Sequence, residues 1–270
     1  MFTVVKNQLK VCFLSVKYNI MKEMLNKVTF VTNVLFMILN NATFIVQWVI
    51  LFSLKDDIGG YSFKEVMVLW GVAASTYGLS HILFARAFSL PDLIINGKLD
   101  SFLVQPKNVL LGVITSSSST SAIGDLIYGY ALILITSATQ GAMVLIKNVL
   151  LFSFFTITGT VILTSFAVIM GSLSFYLVRA DILGNNFISM MTSFATYPDG
   201  IFKGAVKFIL TFIIPVGMAQ YIPVHVITKF SLTAMLVVTG YAFAGMALSV
   251  LVFYRGLKRY SSSNLFEMRA

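Results

Sequence analysis

Residues 91–108 read PDLIINGKLDSFLVQPKN. A long apolar segment lies on each side, and the stretch carries Asp92, Lys98, Asp100 and Lys107 where its neighbours carry little charge. This is the pattern of a chain that leaves a hydrophobic phase briefly and returns to it. The whole chain agrees: of 270 residues, 58% are hydrophobic and 11% charged, against about 25% charged in an ordinary soluble domain. One water-soluble core cannot bury that much apolar side chain, so lipid must be the solvent. A helix needs about 20 apolar residues to cross about 30 Å of hydrocarbon, and several windows qualify. The fold class expected is all-α integral membrane, with no room for a sizeable soluble domain beside it.

Working outward from 91–108, the preceding span covers about 63–90 and ends at Pro91, which cannot continue a helix. The following span covers about 111–138. A first span at about 30–54 is closed by the turn KDDIGGY, residues 55–61, with its charges and paired glycines. A fourth runs over 149–178, long enough to tilt, and ends at the charged break Arg179, Ala180 and Asp181. The apolar run 182–195 is only about 21 Å long as helix. TYPDGIFKG, residues 196–204, interrupts it, and 205–222 is apolar again but contains Pro215 and Gly217. A last span covers 231–254, and a basic, polar tail covers 255–270.

Residues 1–28 do not read as a secretory leader, because five lysines punctuate them and no compact apolar core precedes a small-residue cleavage site. Leu9, Phe13, Val16, Ile20 and Met24 instead recur on one helical face, with lysines on the flanks. That is an amphipathic helix lying in the membrane interface. With both termini cytosolic and six crossings, only Lys55, Lys64, Lys147, Lys203, Lys207 and Lys229 fall outside, of 19 basic residues. This matches the excess of positive charge on the cytosolic side. A seventh crossing would put the basic C-terminal tail outside. Residues 182–195 are therefore expected to be the fifth crossing and 196–222 an outer re-entrant hairpin, covered by protein because free backbone is not tolerated in lipid. The formal charge of +9 is thereby accounted for without nucleic acid.

Two stretches carry a family resemblance: NGKLDSFLVQPKN, residues 96–108, and TYPDGIFKGAVKFILTFIIPVGMAQYIP, residues 196–223. They resemble the ABC-2-type permeases, in particular the branch of small six-span bacterial permeases. In these a Tyr-Pro-x-x-Ile-Phe turn, an apolar segment with Pro and a closing Tyr-x-Pro recur. The resemblance implies a permease subunit of an ATP-driven exporter in the bacterial cytoplasmic membrane. It implies a dimer with an identical or sister permease and a dimer of ABC ATPases, which hold the ATP and Mg. It also implies a cytosolic coupling helix over about 92–102, with Ile94, Ile95, Leu99, Phe102 and Leu103 filling an ATPase groove and Asp92, Lys98 and Asp100 setting register. From the residues alone, a plain helix lying on the bilayer stands equally. Tyr197, Pro198, Ile201, Phe202, Pro215, Tyr221 and Pro223 would form an outer gate, or simply a packed hairpin.

Asp125 falls mid-span, where an acid costs about 2.5–3.5 kcal/mol on insertion. A structural ion pair with Arg86, His81 or Arg179 is favoured over a place on a cation or peptide path. The run TSSSSTS, residues 115–121, favours close helix packing over a polar lining, and Trp48 suits an interfacial belt. The single cysteine, Cys12, permits no internal disulfide. His81 and His225 are too few for a metal site, and neither HExxH nor GxxxxGK[ST] occurs. The chain is thus expected to bind no cofactor itself and not to be an enzyme. An ion-coupled secondary transporter, a membrane-embedded enzyme and a non-transporting immunity or scaffold protein remain the alternatives.

Overall fold

The structure, a computed structural model, describes residues 2–177 and 180–260. Arg179 and the tail beyond residue 260 lie outside the described residues. Among those described there are twelve α-helices and no strand. They are α1 (Phe2–Glu23), α2 (Lys27–Leu54), α3 (Phe63–Phe88), α4 (Leu90–Ile95), α5 (Asp100–Leu103), α6 (Val109–Ile114), α7 (Ala122–Ala138), α8 (Ala142–Ser172), α9 (Ala180–Phe194), α10 (Gly204–Phe208), α11 (Ile222–Thr228) and α12 (Leu232–Leu257). Four segments are long and apolar enough to cross a membrane: Lys27–Leu54, Phe63–Ile95, Ala142–Phe175 and Leu232–Leu257. The pair Gly204–Ile213 and Gly217–Thr228 qualifies together but is bent by 75°.

The tightest packing is between α3 and α7. Gly71, Ser75 and Gly78 form one stripe on α3, and Ala122, Asp125 and Gly129 form the facing stripe on α7. A Cβ on Gly78 would lie 2.8 Å from the Ala122 carbonyl, and one on Gly129 would lie 2.5 Å from the Gly71 carbonyl and strike Ser75. Lipid does not drive helices together by apolar burial. Small residues let the two backbones approach and gain dispersion contacts instead. Phe152, Phe155 and Leu69 fill the space beside this crossing, with the buried second limb of the bent pair beyond.

Contacts sort the connections into two poles. At the proximal pole α1, residues 89–121, the end of α8 and the end of α12 gather around Leu90, Ile94, Leu99, Val113, Phe175 and Phe253. The distal pole holds residues 55–62, 197–203 and His225. Helix α1 packs through the stripe Gln8, Cys12, Ser15 and Asn19. Asn19 donates to the Thr115 carbonyl at 3.1 Å and Gln8 accepts from the Asn108 amide at 3.1 Å. Leu9 and Phe13 remain exposed.

Several boundaries differ from the sequence reading, each for a local reason. The helix expected over 111–138 is broken. Residues 115–121 are not helical, because serine and threonine hydroxyls compete for backbone groups. Their needs are met from outside: the Ser119 amide donates to the His81 carbonyl at 2.9 Å, and Thr120 bonds to Glu23 on α1. Helix α3 deviates at Phe84 (φ −138°, ψ 32°), just past that carbonyl. The run is therefore a polar joint between α6 and α7 rather than a helix-packing stripe. Helix α8 begins at Ala142, earlier than expected, because Asn148 is tied to Ser137 at 3.0 Å inside the helix pair. The YIP stretch does not end the bent segment. Gly217–Tyr221 is a π turn that runs into α11, and Pro223 sits in the first turn of α11, where its missing N–H leaves no extra orphan.

Gly129→Val is expected to destabilise the fold by about 1–3 kcal/mol or more through overpacking. Gly240→Ala on α12, which meets nothing within 4 Å, should leave the melting temperature of the purified protein unchanged or raise it, since alanine is the better helix former.

Candidate functional site

Three places collect the residues singled out by sequence. At the proximal pole, residues 89–108 form two short helices rather than one. Gly97, at φ +68°, makes the turn between α4 and α5 that L side chains rarely adopt. Ile94 and Leu99 are 1% and 0% exposed and belong to the chain's own core, with Phe102 packed against it. The groove-filling face read from the sequence is therefore redrawn. The apolar side chains free to meet a partner are Leu103 and Val104, the latter 85% exposed, beside exposed Asp92, Lys98, Asp100 and Ser101. A cleft of about 640 Å³ opens here, lined by Arg86, Leu93, Lys98, Asp100, Ser101, Phe102 and Ser116.

At the distal pole the loops meet backbone to backbone. Gly59, at φ +63°, touches Gly200 so closely that no Cβ fits between them. Asp199 accepts from Lys207 Nζ at 2.7 Å and lies 3.4 Å from His225 Nε2, which in turn lies 3.2 Å from the Tyr61 hydroxyl. Burial pushes the Asp199 carboxyl up, but hydrogen bonds with His225 and Lys207 outweigh it and hold the group well below the ordinary carboxylate range. Burial, and then the charge on Asp199, push the Tyr61 phenol up, so it stays protonated. Tyr221 is buried, and its hydroxyl donates to the Phe194 carbonyl at 2.7 Å, satisfying an orphan at the end of α9. Pro198 and Ile201 pack at Gly59, and the Phe202 ring meets Phe194 edge-on. Pro215 lies in the bend itself. The sequence reading gathered the prolines and aromatics but missed the Asp199–Lys207–His225–Tyr61 clamp. A lone histidine inside the apolar run IPVHVI was the signal available.

The third place is a cavity of about 460 Å³ between α2, α3, α7, α8 and α9. Met37, Asn40, Asn41 and Phe44 line it from one stripe of α2, Trp70 and Tyr77 from α3, Asp125 from α7, and Met191 to Tyr197 from α9 and its end. Gln220 closes it from the bent segment. The Trp48 edge meets Tyr197 at 6.0 Å at its distal end. Trp48 is thus buried packing and does not serve as a belt residue.

Among the described residues Asp125 pairs with neither Arg86 nor His81, and Arg179, the third partner expected, lies outside the described residues. Asp125 lies in the first turn of α7, because that helix starts at Ala122, and there the helix dipole favours a negative charge. Its Oδ1 accepts from Asn41 Nδ2 at 2.6 Å, and Oδ2 has no hydrogen-bond partner. The described salt bridges join Asp199 to Lys207 and His225, and none reaches Asp125. His81 is stacked between Tyr77 and Phe88 at 3.8 and 4.0 Å, with Nδ1 at 3.0 Å from the Tyr77 carbonyl. Arg86 belongs to the proximal cleft. The three intramembrane charges grouped by sequence are therefore not brought together.

Removing one partner of a buried ion pair costs about 3–5 kcal/mol. With no such pair among the described residues, Asp125→Asn should leave the melting temperature unchanged or raise it. For Asp199 the folded value lies below the unfolded one, so its contribution is complete above the unfolded value, roughly pH 4. It is lost as pH falls from there toward the folded value. Asp199→Asn should lower stability at pH 7 and flatten that acid slope, read by thermal melts across pH.

No curated protein and no solved structure matches the chain. A family model described as ABC-2 family transporter protein matches residues 37–264. The match spans the α2–α12 bundle, both poles and the cavity, and the chain belongs to the ABC-2 transporter family, as a multi-pass membrane permease.

Proposed function

We propose that this permease is the membrane subunit of an ATP-driven exporter in a bacterial cytoplasmic membrane. Family membership over residues 37–264 carries the reading. Helices α2, α3, α8 and α12 make four crossings. The broken α6–α7 pair and the short α9 make the other two, for six in all. The proximal pole faces the cytosol with both termini, in accord with the placement of positive charge. The bent segment is an outer re-entrant hairpin.

The permease works as a dimer, with an identical or a sister subunit, on two ABC ATPases that bind ATP and Mg. Docking centres on α5 and the turn after it, where Leu103 and Val104 meet an apolar groove and Asp92, Lys98 and Asp100 set register. Ile94, Leu99 and Phe102 act behind that face, while half-buried Ile95 stays at its edge. The first three tie α4 and α5 to α8 and α12, so a push on the pole is transmitted to the spans. The coupling requires that closed ATPases fit one permease state better than the other. At the distal pole, Tyr197, Pro198, Ile201, Phe202, Pro215, Tyr221 and Pro223, held by the Asp199 clamp, form the outer gate.

Copurification in mild detergent with a co-expressed candidate ATPase tests the reading. Wild type should capture the ATPase, and Leu103→Asp with Val104→Asp should lose it while remaining monodisperse, since both positions are exposed. Equal capture by both would overturn the docking face, and capture by neither would overturn the exporter reading.

A further inference from the structure

The cavity beside Asp125 combines features that a packed helix bundle does not need. Asp125 is 4% exposed and Gln220 is 3% exposed. Both line the same cavity, and each has an oxygen, Asp125 Oδ2 and Gln220 Oε1, without a hydrogen-bond partner. An unpaired carboxylate away from water is costly unless a positive group answers it. A carbonyl oxygen left over in the lining of the same cavity asks for an N–H donor. The walls are mixed: Asn40, Thr192, Ser193 and Thr196 contribute polar groups. Beside them Phe44 stacks on Trp70 at 5.0 Å and 26°, and Tyr77 and Tyr197 add further aromatic surface. Aromatic faces attract a cation and also suit an apolar body. A volume of about 460 Å³ lies within the range of sites for small organic ligands.

The donor set does not suit a bare metal ion. Among the described residues no group of three or more acidic, histidine or cysteine side chains comes together. Access is built in as well. Helices α2 and α9 face one another across the cavity without packing along their length, and outward-facing residues of α2 such as Leu35, Phe36 and Leu39 are exposed.

We propose that this cavity binds an amphipathic organic ammonium ion. The protonated amine is held by Asp125 and Gln220, and the apolar body lies against Phe44, Trp70 and Tyr77. Asn41 positions the Asp125 carboxylate through its 2.6 Å hydrogen bond. A ligand of this class collects in the bilayer with its charge near the interface, and it enters between α2 and α9. That such ions are the exported substrate rests on the permease reading above, whereas binding to this cavity does not.

Of the chain's two tryptophans Trp70 lines this cavity and Trp48 packs on its lining residue Tyr197, so intrinsic fluorescence reports on it. The full chain, purified in detergent, is titrated with 4-phenylbutylamine, protonated at pH 7, and with 4-phenylbutanol, which keeps the body and loses the charge. Wild type should bind the amine at least about tenfold more tightly than the alcohol. Asp125→Asn should bring the amine down to the level of the alcohol and leave the alcohol unchanged, and Gln220→Leu should weaken the amine severalfold. Equal affinity for amine and alcohol in wild type overturns the proposal with no variant needed. So does undiminished amine selectivity in a monodisperse Asp125→Asn protein. Amine binding without ATPase capture removes the exporter reading and keeps the site. Capture without amine selectivity removes the site and keeps the exporter.

Discussion

Hydrocarbon offers no water to a free amide or carbonyl, so wherever this chain leaves the helix inside its bundle, another part of the protein must supply the missing partner. The rest of the architecture follows from how that demand is met. The joint at residues 115–121 is possible because His81, Asn19 and Glu23 answer its backbone and hydroxyl groups. The end of α9 is answered by the Tyr221 hydroxyl. The bent segment keeps its second limb buried in the core and its first limb tied to α12, where Tyr241 donates to the Phe212 carbonyl. Each break is thus also a tether between elements distant in sequence.

The joint has a chemical consequence. Starting a new helix at Ala122 places Asp125 at the positive end of a dipole and directs it into the cavity that α2 and α9 leave open. The close α3–α7 crossing, set by Gly71, Gly78 and Gly129, fixes that position. An acid at this place needs only one hydrogen bond, from Asn41, to be held in orientation. The polar joint, the glycine crossing and the ligand cavity are therefore one construction. A change in the joint would alter the electrostatics of the cavity without touching its walls.

The two poles are built on different principles. The proximal pole is an apolar cluster with α4 and α5 resting on it, so displacement of those helices is shared by α8 and α12. The distal pole is a polar clamp of Asp199, Lys207, His225 and Tyr61, with glycines at the closest approach. Apolar packing transmits a push in any direction. A hydrogen-bonded clamp holds one geometry and releases when that geometry is lost.

The sequence by itself determined the solvent, the helical class and the long apolar segments now seen at Lys27–Leu54, Phe63–Ile95, Ala142–Phe175 and Leu232–Leu257, because hydropathy is a property of composition along the chain. The bent segment over 205–222 was also legible, since Pro215 and Gly217 interrupt an apolar run. Tertiary structure alone decided which side chains of 91–108 face inward, because a helical stripe of Ile94, Leu99 and Phe102 looks the same whether its partner is another protein or the chain's own core. It also decided the fate of the charges. Arg86, His81 and Asp125 are close enough in hydropathy terms to pair, but burial, stacking and a broken helix send each to a different place. Meeting partners 84 residues away, as Asn41 does at Asp125, depends on the packed arrangement of helices, which no local pattern in the chain encodes.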